Sequence, residues 1–115
     1  MGNSELRGEL ESRLSVFERD LRQGGFAQVL FNARGEGLAD IEDMLIAVGA
    51  PRAQAYYVRA IRLALDDKTG YRAFLADWHA ADGRPLRDEL QLLSIEYLMS
   101  EPSLAAESRA WREAF

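Results

Sequence analysis

His79 is the one histidine in the chain, and the only side chain that titrates near neutral pH without help, so acid–base chemistry would have to start there. Asp77 and Asp82 are its sequence neighbours. A general base also needs an orienting partner and a substrate pocket, and nothing else in the spacing supplies them. Cysteine is absent, which excludes thiolate nucleophiles, disulfides, zinc–thiolate sites and iron–sulfur clusters. A single histidine excludes a multi-histidine metal site. Asp66, Asp67, Thr69 and Gly70 resemble the start of a cation loop, but the alternating ligands over twelve positions and the closing Glu are missing, so a plain turn is expected. Gly24-Gly25 has no Lys-Ser/Thr after it and no strand before it, so it is no phosphate loop. The sequence therefore implies neither a catalytic residue nor a metal, and it calls for no cofactor.

What remains is binding chemistry. Gln28 and Asn32 are four residues apart and share one helix face. Their amides are expected to be buried and bonded to backbone groups at the helix breaks on either side; the alternative is a ligand-binding face. Amides alone provide no base and no nucleophile. Glu36, Asp40 and Asp43 are a second constellation, within about 60° of arc on a helix at 100° per residue. They span a rise of about 10 Å, so three carboxylates share one short ridge. DNA carries a phosphate every 3.4 Å or so along a strand, so the ridge is sparser but of the same kind. Acids near a helix N-terminus are also favoured by its dipole, and Arg52, Arg59 and Arg62 on the next helix are available to neutralise them.

The elements that position these residues read as helices throughout. Leu6, Leu10, Leu14, Phe17 and Leu21 form one apolar stripe, and Gln23-Gly24-Gly25 breaks it. A short apolar helix follows from Phe26 to Asn32. The next runs from about Glu36 to Val48 on the core residues Leu38, Ile41, Met44, Leu45 and Val48, and stops at Gly49. Pro51 suits the first turn of another helix. Tyr71, Phe74, Leu75 and Trp78 mark a further one, and Pro85 opens a helix to about Met99. Leu104, Trp111 and Phe115 suggest a last helix capping the core. With 115 residues and no alternating strand pattern, the expectation is one all-α domain over 1–115, a bundle of six or seven helices.

The helix after Pro85 has two apolar faces. Leu86, Leu90, Leu93 and Tyr97 make the core face, whereas Leu92, Ile95 and Met99 lie about 120–180° away. The second face is covered either by the C-terminal helix or by a second copy of the chain, and the homodimer is placed slightly ahead. The net charge of −5 has the wrong sign for gripping nucleic acid directly or binding an anionic membrane. Residues 36–51 carry four acids and no base, and residues 52–65 three Arg and no acid. The polar N-terminus lacks an apolar leader core, and a cytoplasmic location is expected.

Gly24, Gly25, Phe26, Gln28, Phe31, Asn32 and Gly35, followed by an acidic amphipathic helix ending in Val48-Gly49-Ala50, resemble the bacterial DNA-mimic-protein domain family, over roughly residues 15–100. The chain departs from that pattern at Gln23, Val29, Leu30, Ala33 and Arg34. The resemblance implies a small helical fold and a non-enzymatic binding protein, and it leans toward a dimer. It also implies a protein partner with a basic surface, such as a DNA-binding protein, met through the acidic ridge Glu36, Asp40 and Asp43. The alternatives are a toxin- or enzyme-blocking protein of the immunity type, acting by shape, and a small ligand-binding domain.

Overall fold

The computed structural model describes residues 2–114. Among them lie six α-helices, one short 3₁₀ turn and no strand. In chain order these are α1 (Gly2–Ala33), α2 (Leu38–Ala47), α3 (Pro51–Asp66), α4 (Lys68–Ala76), the 3₁₀ turn Ala81–Gly83, α5 (Arg84–Leu98) and α6 (Leu104–Glu113). The fold is the expected all-α bundle. The break after Gln23 is a kink: Gly24 (φ −152°, ψ 20°) and Gly25 (φ 66°, ψ −159°) leave the helical region, with helix on both sides.

Local chemistry sets the helix ends. Gly49 (φ 76°) closes α2 as a Schellman turn, its N–H donating to Ile46 O and that of Ala50 to Leu45 O. Pro51 sits in the first turn of α3, as its fixed φ favours. Two features differ from the sequence reading. α2 starts at Leu38, not Glu36, because Arg34, Gly35 and Gly37 all take positive φ and hold the preceding turn out of the helix. The turn expected over 66–70 shrinks to Asp67, whose carboxylate caps α4 by accepting the Gly70 N–H at 2.9 Å, so Thr69 and Gly70 are already helical.

α5 is the central element, packed on α1, α3 and α4. Its Leu86, Leu90, Leu93 and Tyr97 are buried, as their spacing requires. Phe17 meets Phe26 and Tyr57 edge-on at 6.5 and 6.1 Å between ring centroids. A second aromatic cluster joins Phe31, Phe74 and Trp78 at 5.1 to 5.4 Å. Trp78 contributes from the turn after α4, not from the helix as its spacing suggested.

α6 crosses the far end of the bundle. Leu104 is buried, and Trp111 is half-buried under the Arg7 guanidinium, 4.3 Å from the ring centroid. Phe115 lies outside the described residues. Leu6, assigned by pattern to the core stripe, is exposed, since this end of α1 is met mainly by the last turns of α6.

Candidate functional site

The kink is where the motif does its structural work. Gly25 adopts a backbone that side chains disfavour, and a Cβ there would lie 2.3 Å from Ser94 Oγ of α5. The glycine lets the two helices touch. Ser94 Oγ then accepts the Phe26 N–H at 2.8 Å and donates to Leu90 O at 2.7 Å. Breaking the helix orphans an amide, and a hydroxyl from another helix satisfies it.

The same kink turns the second segment of α1 back on the first. In a straight helix Asp20 and Asn32 would be about 18 Å apart. Here Asn32 Nδ2 donates to Asp20 Oδ1 at 2.9 Å, and Gln28 Nε2 donates to Asn32 Oδ1 at 2.9 Å. Arg19 Nε and Nη2 reach the same Asp20 oxygen at 3.2 and 3.1 Å. Asp20 is 3% exposed.

This corrects the expectation for the two amides. Asn32 is exposed and Gln28 half-buried, and they bond side chains instead of backbone groups. Their shared face was read correctly, but the kink turns it toward Asp20, not toward the helix breaks. The residue their chain of amides leads to, Asp20, was missed. Its one sequence signal is a carboxylate flanking the apolar stripe of Leu14, Phe17 and Leu21, just before the two glycines.

Beside this chain lies a cleft of about 360 Å³ between the two segments of α1 and α2. Val16, Phe17, Val29 and Ile41 give it apolar walls, Asp20 and Asn32 a polar end, and Arg13 stands at its rim.

Glu36, Asp40 and Asp43 are all exposed. Only Asp40 and Asp43 stand on α2; Glu36 belongs to the turn before it, so the ridge continues off the helix end. Asp40 approaches Arg13 at 3.7 Å, whereas Glu36 and Asp43 have no ion pair among the described residues. Of the three arginines available to neutralise the ridge, two are engaged elsewhere: Arg52 donates to Pro102 O and Tyr97 O, and Arg59 pairs with Glu96; Arg62 forms no ion pair with the ridge among the described residues.

The sequence model of the DMP19-like protein family matches residues 13–114, nearly the whole chain. The chain belongs to the DMP19-like protein family. Neither a curated protein nor a solved structure matches it. In this DMP19-like protein the family-motif residues Gly24, Gly25, Phe26, Gln28, Phe31 and Asn32 gather at the kink, Gly35 shapes the turn before α2, and Gly49 ends α2.

The outer face of α5 stands open. Leu92, Ile95 and Met99 are 68%, 58% and 82% exposed, so α6 does not cover them. His79 is also exposed, its backbone N–H donating to Asp77 Oδ1, and Asp82 lies apart in the 3₁₀ turn. Among the described residues no group of three or more His, Asp or Glu could hold a metal ion, and no helix is long and apolar enough to cross a membrane.

One further site was invisible in the sequence. Glu107 of α6 accepts the N–H groups of Arg52 and Ala53, at 2.8 and 3.0 Å, and so caps α3. Beside it Arg52 also bonds Ser100 Oγ and lies over the rings of Tyr56 and Tyr97. The pairing joins positions 54 and 55 residues apart, which no local pattern announces.

Proposed function

We propose that this DMP19-like protein is a non-enzymatic binding protein whose acidic edge occupies the DNA-binding patch of a protein partner. The observation that carries the reading is the ridge: Glu36, Asp40 and Asp43 exposed on one edge, with one loose contact to a base among the three. Family membership supports it, since the family takes its name from a DNA mimic protein. Carboxylates held this way offer a basic groove what phosphates offer, mostly as long-range attraction and fast encounter, so the association weakens with salt.

The exposed stripe of Leu92, Ile95 and Met99 supports a homodimer, which would double the ridge along a longer surface. Sedimentation at micromolar concentration tests this part. A mass near two chains that falls to one in Ile95→Asp supports it, and a single-chain mass in the parent protein removes it.

The ridge itself is tested by capture from native lysate with wild-type protein and with the triple variant Glu36→Gln, Asp40→Asn, Asp43→Asn. The wild type should retain a basic protein that high salt or duplex DNA releases. The triple variant should fold, because exposed substitutions cost little, and retain much less. Retention indifferent to DNA and to the triple substitution would overturn the mimicry.

A further inference from the structure

Asp20 is unevenly used. Its Oδ1 takes three hydrogen bonds, from Arg19 Nε, Arg19 Nη2 and Asn32 Nδ2, while Oδ2 accepts none among the described residues. Yet the side chain is nearly sealed, at 5% exposure, and it lines the cleft between α1 and α2. Oδ2 is open to the cleft and keeps its acceptor capacity, and neither Ser12 nor Arg19, the other polar residues of the lining, donates to it among the described residues, while Val16, Val29 and Ile41 have no donor to offer. Arg13 at the rim does not supply one either, since Glu9 at 2.7 Å and Asp40 at 3.7 Å hold its guanidinium.

We propose that this cleft is a lysine-binding site: Asp20 Oδ2 receives the ammonium of a lysine from the basic partner, whose methylene stem lies along Val16, Val29 and Ile41. Three observations select that chemistry. The vacant group is an anionic oxygen, which calls for a cationic donor. Only one oxygen is open, so the parallel pairing of a guanidinium with both oxygens of a carboxylate is unavailable here, and the compact ammonium of lysine fits the single acceptor better. The walls along the approach are apolar, which matches a flexible four-carbon stem.

The cleft also adjoins the acidic ridge. Ile41 lines it next to Asp40 in the chain, and Asp40 contacts the rim residue Arg13. A basic segment drawn to the ridge therefore passes the mouth of the cleft, and the part of this inference that names a protein partner rests on the proposed function. The division of labour would be attraction from the ridge and selection by the cleft, in the way a buried anchor fixes register within an electrostatic encounter.

The binding chemistry can be tested without knowing the partner. The ¹⁵N-labelled full chain is titrated with Nα-acetyl-lysine N-methylamide and with its arginine and norleucine counterparts. The lysine probe should give saturable shifts at the amides of Val16, Asp20, Val29, Asn32 and Ile41. The norleucine probe, lacking the charge-assisted bond, should bind about tenfold more weakly, and the arginine probe more weakly than lysine. Asp20→Asn replaces the vacant oxygen by a donor while leaving an acceptor for Asn32 and Arg19, and it should abolish the lysine response. Val16→Trp, placed at the exposed rim, should do the same by filling the cleft, with the rest of the spectrum unchanged.

No saturable shift, norleucine binding equal to lysine, arginine equal or better, or full binding in both variants would overturn the site. In the capture experiment Val16→Trp should lower retention of the basic partner. Lysine binding lost but retention unchanged would mean that a free alkylamine, not a partner's lysine, fills the cleft, and would overturn the partner half. The two readings fail separately. A ridge variant with full retention removes the mimicry and leaves the lysine titration standing.

Discussion

Two carboxylates, one at the kink of α1 and one at the junction of α3 and α6, do different things with their oxygens. Glu107, at the junction of α3 and α6, spends both: each accepts one backbone N–H at the start of α3, and the group is complete. Asp20, at the kink, concentrates three donors on one oxygen and leaves the other vacant in a cleft. Both are held by residues on helices that fold around them. The first is a finished joint, and the second keeps capacity in reserve. A carboxylate satisfied on both oxygens is explained by the fold that it closes, whereas one satisfied on a single oxygen, with the other open to a cleft, keeps an acceptor for a group from outside the chain.

Substitutions can break that comparison, and the largest effect belongs to the geometry that creates the reserve. Gly25→Ala combines a disfavoured positive φ with a Cβ 2.3 Å from Ser94 Oγ, so it should destabilise the protein by about 3 kcal/mol or more. Urea unfolding of the variant checks this, and the Asn32 contact to Asp20 should be lost with the kink.

The next effects set the two carboxylates side by side. Glu107→Ala orphans two amides at the start of α3 and should cost about 2 kcal/mol. Asp20→Asn removes no hydrogen bond from the vacant oxygen and should cost about 1 kcal/mol or less, mostly through weaker bonds to Arg19. Chemical denaturation of the pair decides the matter. Equal costs would mean that Asp20 is as structural as Glu107, and the contrast would fall.

The smallest effect is confined to high pH and to the junction. Burial pushes the Tyr97 hydroxyl up from 10.0 to about 12 and raises Tyr57 further still. A raised tyrosine value means that the folded state prefers the neutral phenol. Its contribution is fully present below about pH 10 and is lost as pH climbs through 12. Tyr97 lies by Arg52 and Glu107, so alkaline loosening should show first in the α3 amides that Glu107 caps. Circular dichroism with phenolate absorbance follows the transition, and onset below pH 9 would contradict the burial argument.

The fold was readable because most of its instructions are local. Gly49 ending α2, Pro51 opening α3 and the core face of Leu86, Leu90, Leu93 and Tyr97 each need only neighbours within a turn or two. The two glycines announced a break in the same way. What they could not announce was the hydroxyl of Ser94, 68 residues on, that takes the freed amide. Nor could the i,i+4 spacing of Gln28 and Asn32 say which way their face turns, since the angle at Gly25 decides it. Glu107 and Asp20 escaped for the same reason. Helix propensity is written along the chain, and the partner of a cap is written across it.

The joint at Glu107 has a consequence for how the protein is made. Synthesis delivers the first turn of α3 more than fifty residues before the side chain that caps it, so on the ribosome α3 waits with its first amides open to water. Any nascent or proteolysed chain that stops short of Glu107 carries an unfinished α3. A chain that stops short of Pro102 also lacks the carbonyl that Arg52 holds. Quality control in the cell would then meet a shortened chain with one frayed helix, and a protease would distinguish the two lengths of chain at Arg52.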